Sequence, residues 1–346
     1  MAIQDMNLGS SQETSATKHV IGGARQDSIS FDPRTLPSLE KCSQTTSFRN
    51  VLVISGGGRG LTGAVVTAAL REGCQVSVLA ECELDLPRGV ELFVANRNSP
   101  DFEEKTRKFL RDENGAPRFE VLVDCGGGSP AHARQDLTFL ANGKAHVVFI
   151  SDDLVYNPGA RSFPTLQDDP AVDPFKDSRC GMLRAAELEF INSPGVPSWT
   201  ILRPTMILNR KCGLSLYPPC VPRLKLIAEG RPVPLACEGR LLVQPIAAND
   251  LADIALKAPS SPEAKNAIID CAGPVRLEFI QLCRLAAKLL EKPLVPAPAN
   301  AADGEFEEAA LCHRIYPLPW PYQTLPAPTT TPLEAVSYTH LTLPTN

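Results

Sequence analysis

The most constraining feature of the sequence is an apolar, β-branched run over residues 51–63 that breaks into glycines (VLVISGGGRGLTG). Residues 64–72 then resume with helical periodicity, so the pattern predicts a strand, a tight turn and a helix. Gly57, Gly60 and Gly63 have GxxGxxG spacing. In that spacing the backbone approaches a pyrophosphate, the helix N-terminal N–H groups bind it, and the helix packs closely on the strand.

The residues after this helix strengthen the prediction of a dinucleotide site. A second buried strand covers residues 75–79, and Glu81 follows at the distance expected for a ribose-binding acid. Glu81 favours NAD, because a carboxylate accepts hydrogen bonds from a ribose 2′-OH and repels a 2′-phosphate. Arg59 favours NADP instead, since it can pair with that phosphate. Alternatively, both residues are ordinary charged side chains of solvent-exposed loops with no role in binding. The predicted cofactor contacts in the loop and helix start are Gly57, Arg59, Gly60, Leu61 and Gly63.

Further apolar runs alternate with helical segments along the chain. This alternation predicts an α/β fold, a Rossmann-type doubly wound parallel sheet. The further strands are expected at 90–96, 119–125, 145–151 and 199–202, and the helices at 101–112, 130–141 and about 179–192.

A second glycine cluster, Gly126-Gly127-Gly128, directly follows the strand at 119–125. Ligands of open α/β sheets lie outside the carboxyl ends of the strands, where the backbone must come close to them. We therefore predict cofactor contacts at Cys125 and Gly126, with an ordinary loop as the alternative.

Changes in composition predict the domain organisation. Residues 1–48, rich in Ser, Thr and Gln, are expected to form a disordered extension. Residues 49–205 form the predicted NAD(P)-binding domain, to which segments around 241–275 return, and 206–336 form a smaller C-terminal substrate lobe. Residues 337–346 resemble a translated sequencing-adapter tail and are expected to be non-native.

Charge and cysteine usage narrow the function classes. With 34 Lys and Arg against 39 Asp and Glu, the net charge of −5 offers no bulk attraction to nucleic acid or anionic membranes. The 11 cysteines form no CxxC pair and no zinc-type spacing, so we expect reduced thiols, a cytoplasmic protein and no metal site. No apolar stretch reaches the length of a membrane span.

Several short motifs, in the right order, carry a family resemblance over about residues 50–336. They are Asn96-Arg97-Asn98, the strand end 150–156 (ISDDLVY), 201–205 (ILRPT), 230–234 (GRPVP), 249–252 (NDLA) and 331–334 (TPLE). With the glycine loop, they resemble extended or atypical short-chain dehydrogenases/reductases of the NAD-dependent epimerase/dehydratase group. The resemblance implies that Asn96 and Arg97 lie near the adenine and that Pro204 borders the cofactor. It also implies a small hydroxylated substrate such as a nucleotide sugar, and a homodimer.

The chemistry of that family rests on a Tyr, a Lys four residues later and a Ser or Thr. Here Asp152 occupies the serine position. The Tyr-x-x-x-Lys segment corresponds to residues 178–184, which register as Cys180/Arg184 or as Arg179/Leu183. Neither register supplies the Tyr or the Lys.

Three functions follow from this departure. An enzyme would use Asp152 as acid/base, Tyr156 as a displaced phenol or Cys180 as a thiol, with Arg184 supplying positive charge. The structural alternatives are that Asp152 caps the strand end and that Cys180 is an ordinary buried thiol. A non-catalytic dinucleotide sensor or scaffold needs only the glycine loop. RNA binding, as in the plastid stem-loop-binding members, is disfavoured by the acidic charge.

Overall fold

The computed structural model describes residues within the unit Ser43–Asn346. The described ranges are 47–56, 59–139, 145–156, 171, 179–193, 198–209 and 220–298. Gly57, most of the predicted N-terminal extension and the predicted tail at 337–346 lie outside them. Phe48, at the end of that extension, is buried against the core. No helix in the described ranges is long and apolar enough to cross a membrane.

Strands and helices alternate as the hydrophobic pattern predicts. The strands are β1 (Asn50–Ile54), β2 (Gln75–Ala80), β3 (Glu91–Val94), β4 (Val121–Asp124), β5 (His146–Ile150), β6 (Ser198–Pro204), β7 (Ile207–Leu208), β8 (Val233–Leu235), β9 (Leu242–Val243), β10 (Ile246–Ala247), β11 (Ala267–Cys271), β12 (Leu277–Glu278) and β13 (Pro296–Pro298). The helices are α1 (Arg59–Arg71), α2 (Phe102–Leu110), α3 (Pro130–Phe139), α4 (Arg179–Ile191), α5 (Cys220–Ala228), α6 (Ala248–Lys257) and α7 (Phe279–Leu289).

Seven strands form one parallel sheet in the order β3-β2-β1-β4-β5-β6-β11. The predicted doubly wound parallel sheet is therefore confirmed. Chain order reverses between β1 and β4, where Val51 pairs with Val121 and Ile54 with Asp124. This pair is the topological switch point, the position at which such sheets bind ligands.

The two faces of the sheet are covered by different helices, because successive side chains of a strand point to opposite sides. Val51 and Val53 pack in one buried cluster with α1 and α6. Leu52 and Ile54 pack in another with α2, α3 and α4. The sheet is thus buried on both faces, as parallel sheets require.

A smaller lobe follows β6 and has a buried cluster of its own. It contains α5, α7 and three two-stranded pairs: β7 with β10, β9 with β12 and β8 with β13. Within the segment 241–275, β11 pairs with β6 in the main sheet and α6 packs on α1. The chain therefore leaves the main sheet after β6 and comes back to it at β11.

Two loops at the switch point touch through their backbones. A Cβ atom added to Gly126 would lie 2.2 Å from the Gly56 Cα, and one added to Gly56 would lie 2.5 Å from the Cys125 carbonyl oxygen. Neither position can hold a side chain without separating the loops. A Cβ atom added to the neighbouring Gly128 would meet no atom within 4 Å.

We expect Gly126→Ala to lower the free energy of unfolding by about 1–3 kcal/mol, the usual cost of overpacking. Gly128→Ala is the matched control and should change it by no more than about 0.5 kcal/mol. Urea unfolding followed by circular dichroism measures both. Equal losses in the two variants would show that the contact between the loops is not what requires glycine.

Candidate functional site

The site predicted from the sequence lies at the carboxyl edge of the sheet, where the loops after β1, β2, β4, β5 and β6 meet. Because the strands are all parallel, their carboxyl ends share this edge. Ser55, directly after β1, is buried and donates its backbone N–H to the Leu79 carbonyl at 2.8 Å. Its hydroxyl oxygen accepts a hydrogen bond from the Thr62 hydroxyl at 3.2 Å. These bonds fix the start of α1 against the ends of β1 and β2.

Helix α1 begins at Arg59 and has no acidic residue in its first turn. Gly60 and Leu61 are buried, whereas Gly63 is half-exposed. A Cβ atom at Gly63 would meet nothing within 4 Å. No neighbouring atom of the described chain therefore requires a glycine at position 63, although α1 does pack on β1 and β2 as predicted.

Glu81 and Asn96 follow β2 and β3, and both are exposed at this edge. The Asn96 side-chain oxygen accepts a hydrogen bond from the Asn98 backbone N–H at 2.8 Å, which forms a local turn. The placement of both residues agrees with the predicted ribose and adenine contacts, which stay predictions.

Arg97 lies in a different environment from its neighbour, because its side chain is buried. Its guanidinium donates to the Asp124 carboxylate at 2.8 Å and to the Asp136 carboxylate at 2.6 Å. It also donates to the His132 carbonyl at 2.7 Å and to the Gln135 side-chain oxygen at 3.0 Å. These four hydrogen bonds hold the guanidinium inside the protein, so they favour a structural role over the predicted contact with an adenine.

Packing explains most of the second glycine cluster. Gly126 lies against Gly56, as described above, and a Cβ atom at Gly127 would lie 2.2 Å from an Asp124 carboxylate oxygen. Gly126 is nevertheless exposed on its open side. Cys125 is half-buried, and burial together with the Asp124 charge raises the pKa of its thiol, which keeps it protonated and unreactive.

A buried ion network lies beyond β5 and β6, centred on Glu187 of α4. The Arg203 guanidinium donates to both Glu187 carboxylate oxygens, at 2.9 and 2.7 Å. Ser151 donates to the same carboxylate at 2.7 Å, and Arg184 does so at 2.8 Å. Arg184 is thus bound to a partner on its own helix, where it neutralises a buried carboxylate.

Tyr156 belongs to the same buried region. Its hydroxyl donates to the Asp270 carboxylate, at 2.8 and 2.9 Å from the two oxygens, and the Arg203 guanidinium lies 4.7 Å from the centre of its ring. Burial, with the Asp270 charge, raises the Tyr156 pKa, and burial raises the pKa of Asp270 to about 6. A catalytic tyrosine of this kind needs a lowered pKa, so these surroundings give Tyr156 a structural role.

Asp152 caps the short turn 153–155, because its carboxylate accepts a hydrogen bond from the Leu154 backbone N–H at 2.9 Å. It is half-exposed at the carboxyl edge. Cys180 is half-buried near the start of α4, and Leu183 is buried in the core on the same helix. Pro204 ends β6 in a buried position opposite Cys271 of β11.

The functional contacts that the sequence did not reveal are those of Asp136, Glu187, Arg203 and Asp270. Arg203 falls in the 201–205 motif that the resemblance already used, and Glu187 lies three residues after the 178–184 segment, so their positions along the chain were a usable signal. Asp136 and Asp270 had none, because their partners are 39 and 114 residues away in the sequence.

A cavity of about 490 Å³ lies in the smaller lobe, away from this edge. Its charged side chains have mixed sign, with two carboxylates and two guanidinium groups. They are Glu238, Glu278, Arg240 and Arg284. The lining offers no preference for an anionic or a cationic ligand.

The strand order and the helix at the switch point define a Rossmann-type, doubly wound fold. Solved structures share this fold. An epimerase from Methanothermobacter thermautotrophicus matches with a TM-score of 0.60 and 13% identity, covering 75% of this chain and 82% of that chain. The UDP-glucose 4-epimerase of Thermotoga maritima, solved with UDP-glucose, matches with a TM-score of 0.57 and 16% identity, covering 73% and 87%.

A short-chain dehydrogenase/reductase superfamily protein from Agrobacterium tumefaciens, solved with bound NAD, matches with a TM-score of 0.56 and 18% identity, covering 76% of this chain and 96% of that chain. No protein-family model and no curated protein matches the sequence. The chain has the fold of the NAD-dependent epimerases and short-chain dehydrogenases, and the resemblance noted in the sequence is confirmed at the level of the fold.

Glu187→Gln should lower the free energy of unfolding by about 3 kcal/mol or more, because it removes the carboxylate that accepts two hydrogen bonds from the buried Arg203 guanidinium. Glu189→Gln on the same helix is the matched control. Glu189 pairs with Arg134 near the surface, so its loss should cost no more than about 1 kcal/mol. Denaturant titration of both variants at neutral pH tests the difference, and similar small losses would contradict a central role for Glu187.

Proposed function

We propose that the protein binds a nicotinamide dinucleotide at the carboxyl edge of its sheet. One observation carries the proposal: the N-terminus of α1 lies at the switch point and has no acidic residue in its first turn. A helix N-terminus supplies free N–H groups and a partial positive charge, both of which favour a pyrophosphate. These features fit a nicotinamide dinucleotide, the cofactor that the family resemblance implies.

The residues that would hold the cofactor lie around that helix. Backbone groups of the glycine loop and the start of α1 would bind the pyrophosphate. Glu81, exposed at the end of β2, would accept hydrogen bonds from the adenosine ribose, and this supports NAD over NADP. The exposed backbone at Gly126 and the side chain of Asn96 remain available for further contacts, with Pro204 at the far end of the crevice.

Isothermal titration of the full chain with NAD and NADP tests this proposal, and we expect micromolar binding with NAD preferred. Gly63→Asp should weaken binding about tenfold or more, because it adds a negative charge near the helix N-terminus that would bind the pyrophosphate, and its Cβ atom would meet no atom of the folded chain. Thr67→Asp, one turn later and exposed on the same helix, is the control and should bind like the wild type. If the folded wild type binds neither cofactor, the proposal is wrong.

The reaction is a separate question, with two candidate answers. When bound, a nicotinamide cofactor supplies hydride transfer. The first candidate is therefore redox or epimerase chemistry on a nucleotide sugar or other hydroxylated metabolite, as the family resemblance implies. UDP-glucose is bound in one of the similar solved structures. In this chain Asp152, half-exposed at the edge, is the better placed acid/base candidate, with Cys180 second.

A dinucleotide sensor or scaffold is the second candidate, and a specific observation favours it. Tyr156 is buried with a raised pKa, Leu183 is packed in the core, and Arg184 is bound to Glu187. Among the described residues these positions therefore offer no substitute for the Tyr–Lys pair. Binding without proton transfer requires none, so this role, in a monomer or a homodimer, needs only the cofactor crevice.

Incubation with NAD and UDP-glucose separates the two candidates. An enzyme should form reduced nicotinamide or an epimerised sugar, detected by absorbance and by nuclear magnetic resonance. Asp152→Asn should then reduce the rate by about a hundredfold, the usual contribution of one acid/base group. Cofactor binding with no product from UDP-glucose or other nucleotide sugars would favour the sensor.

A further inference from the structure

Two buried carboxyl groups share one guanidinium beside the switch point. Asp124 at the end of β4 and Asp136 on α3 are fully buried, and Arg97, in the loop after β3, is 5% exposed. Arg97 pairs with Asp124 at 2.8 Å and with Asp136 at 2.6 Å. With both carboxyl groups ionised, the cluster would carry a net buried charge of −1, which is costly in a low-dielectric interior.

The hydrogen bonds of the two carboxyl groups are unequal. One Asp124 oxygen accepts from the backbone N–H groups of Gly126 and Gly127, each at 2.7 Å, and the other accepts from Arg97. Asp136 accepts from Arg97 through one oxygen only. Its second oxygen is buried and has no hydrogen-bond donor among the described residues. The donors around Asp124 therefore stabilise its ionised form, whereas Asp136 lacks a donor for its second oxygen.

Asp124 and Asp136 accept from the two terminal nitrogens of the same Arg97 guanidinium, at 2.8 and 2.6 Å, so their carboxyl groups lie side by side. Two carboxylates cannot hydrogen-bond to each other, but a protonated carboxyl can donate to an ionised one. Burial and the Asp124 charge raise the Asp136 pKa well above its usual value, whereas Arg97 and the backbone donors lower the Asp124 pKa. One proton on the unpaired Asp136 oxygen satisfies that oxygen and makes the cluster neutral.

Other ionisable groups around the cluster do not take over this role. His132, on α3, has a lowered pKa because of burial and the nearby Arg97 charge, so it is neutral above pH 6.5. Cys125 stays protonated, for the reasons given above. The charge of Glu81, after β2, raises the His132 pKa, but burial and Arg97 outweigh this effect. Gln135 contributes hydrogen bonds to Arg97 and no charge.

We propose that Asp124 and Asp136 share a single proton near neutral pH, and that the resulting neutral cluster positions the loops after β3 and β4 at the dinucleotide crevice. Arg97 fixes the first loop, and Asp124 fixes the second through Gly126 and Gly127. The part that concerns the crevice rests on the proposed function; the shared proton does not. Asp136 is thus a positioning residue, acting through Asp124.

The shared proton makes the positioning of the two loops depend on pH. An aspartate whose pKa is raised on folding is protonated in the folded chain and ionised in the unfolded chain at intermediate pH. Its contribution to stability is complete below about pH 4, near the unfolded value, and is lost as pH rises through the folded value. Loss of the proton leaves two adjacent buried carboxylates, which repel each other and weaken the hold of Asp124 on the second loop.

Infrared spectroscopy of the full chain tests the shared proton directly. Asp136→Asn mimics the protonated form, because its amide can accept from Arg97 and donate to Asp124. At pH 8, where Asp270 with a pKa of about 6 is ionised, the wild type should show the carbonyl band of a protonated carboxylic acid. Asp136→Asn should lack it, and the exposed control Asp85→Asn should retain it. A wild type without the band, or a band that persists in Asp136→Asn, would overturn the proposal.

Hydrogen exchange measured by mass spectrometry tests the positioning without any cofactor. In peptides that contain Gly126 and Gly127, the ratio of wild-type to Asp136→Asn exchange rates should rise by about fivefold or more as pH increases through the range in which the infrared band of the wild type disappears. The intrinsic pH dependence of exchange cancels in this ratio. A constant ratio would overturn the positioning role.

The dinucleotide arm separates this inference from the proposed function. Wild-type affinity for NAD should fall with rising pH over the same range, while that of Asp136→Asn should not. Parallel profiles in the two proteins would remove the link to the crevice. Absence of NAD binding at every pH would refute the proposed function. The shared proton would still be tested by the infrared and exchange measurements, because neither requires NAD.

Discussion

The pairing of β1 with β4 is the constraint on which the rest of the structure depends. Because the two strands are parallel and in register, the loops that leave their carboxyl ends must pass each other at contact distance. Gly56 and Gly126 meet there, backbone against backbone. Chain order reverses at the same place, so helices leave the sheet on opposite faces. The resulting crevice is a consequence of how the sheet is wound, whatever the protein binds in it.

Buried charge is concentrated at the same edge. One cluster joins Arg97 to two aspartates, and another joins Arg203 to Glu187 and Tyr156. Each ties a loop or helix to a strand end through charged hydrogen bonds, which are directional where apolar packing is not. The edge is thereby held in one geometry. Such clusters favour specificity of structure more than they favour net stability, because desolvation offsets most of the attraction.

The chemistry of the edge differs from that of the dehydrogenases with which it shares a fold. The phenol of Tyr156 is held by Asp270 in the interior, and the guanidinium of Arg184 neutralises Glu187. Both side chains are therefore committed to structure. Glu81 and Asn96, which are exposed at this edge, are the residues proposed to contact a dinucleotide. This distribution supports the proposal of dinucleotide binding and leaves Tyr156 and Arg184 without a role in proton transfer.

The sequence by itself determined the parallel sheet and the position of the glycine loop, because both depend on local patterns: apolar runs of strand length, helical periodicity and glycine spacing. Only the tertiary structure decided what the polar residues do. Arg97 was predicted near an adenine, and its guanidinium is bound by Asp136, a residue 39 positions later. Partners distant in the sequence leave no periodic signal, so charge pairing and burial become visible only once the strands are ordered.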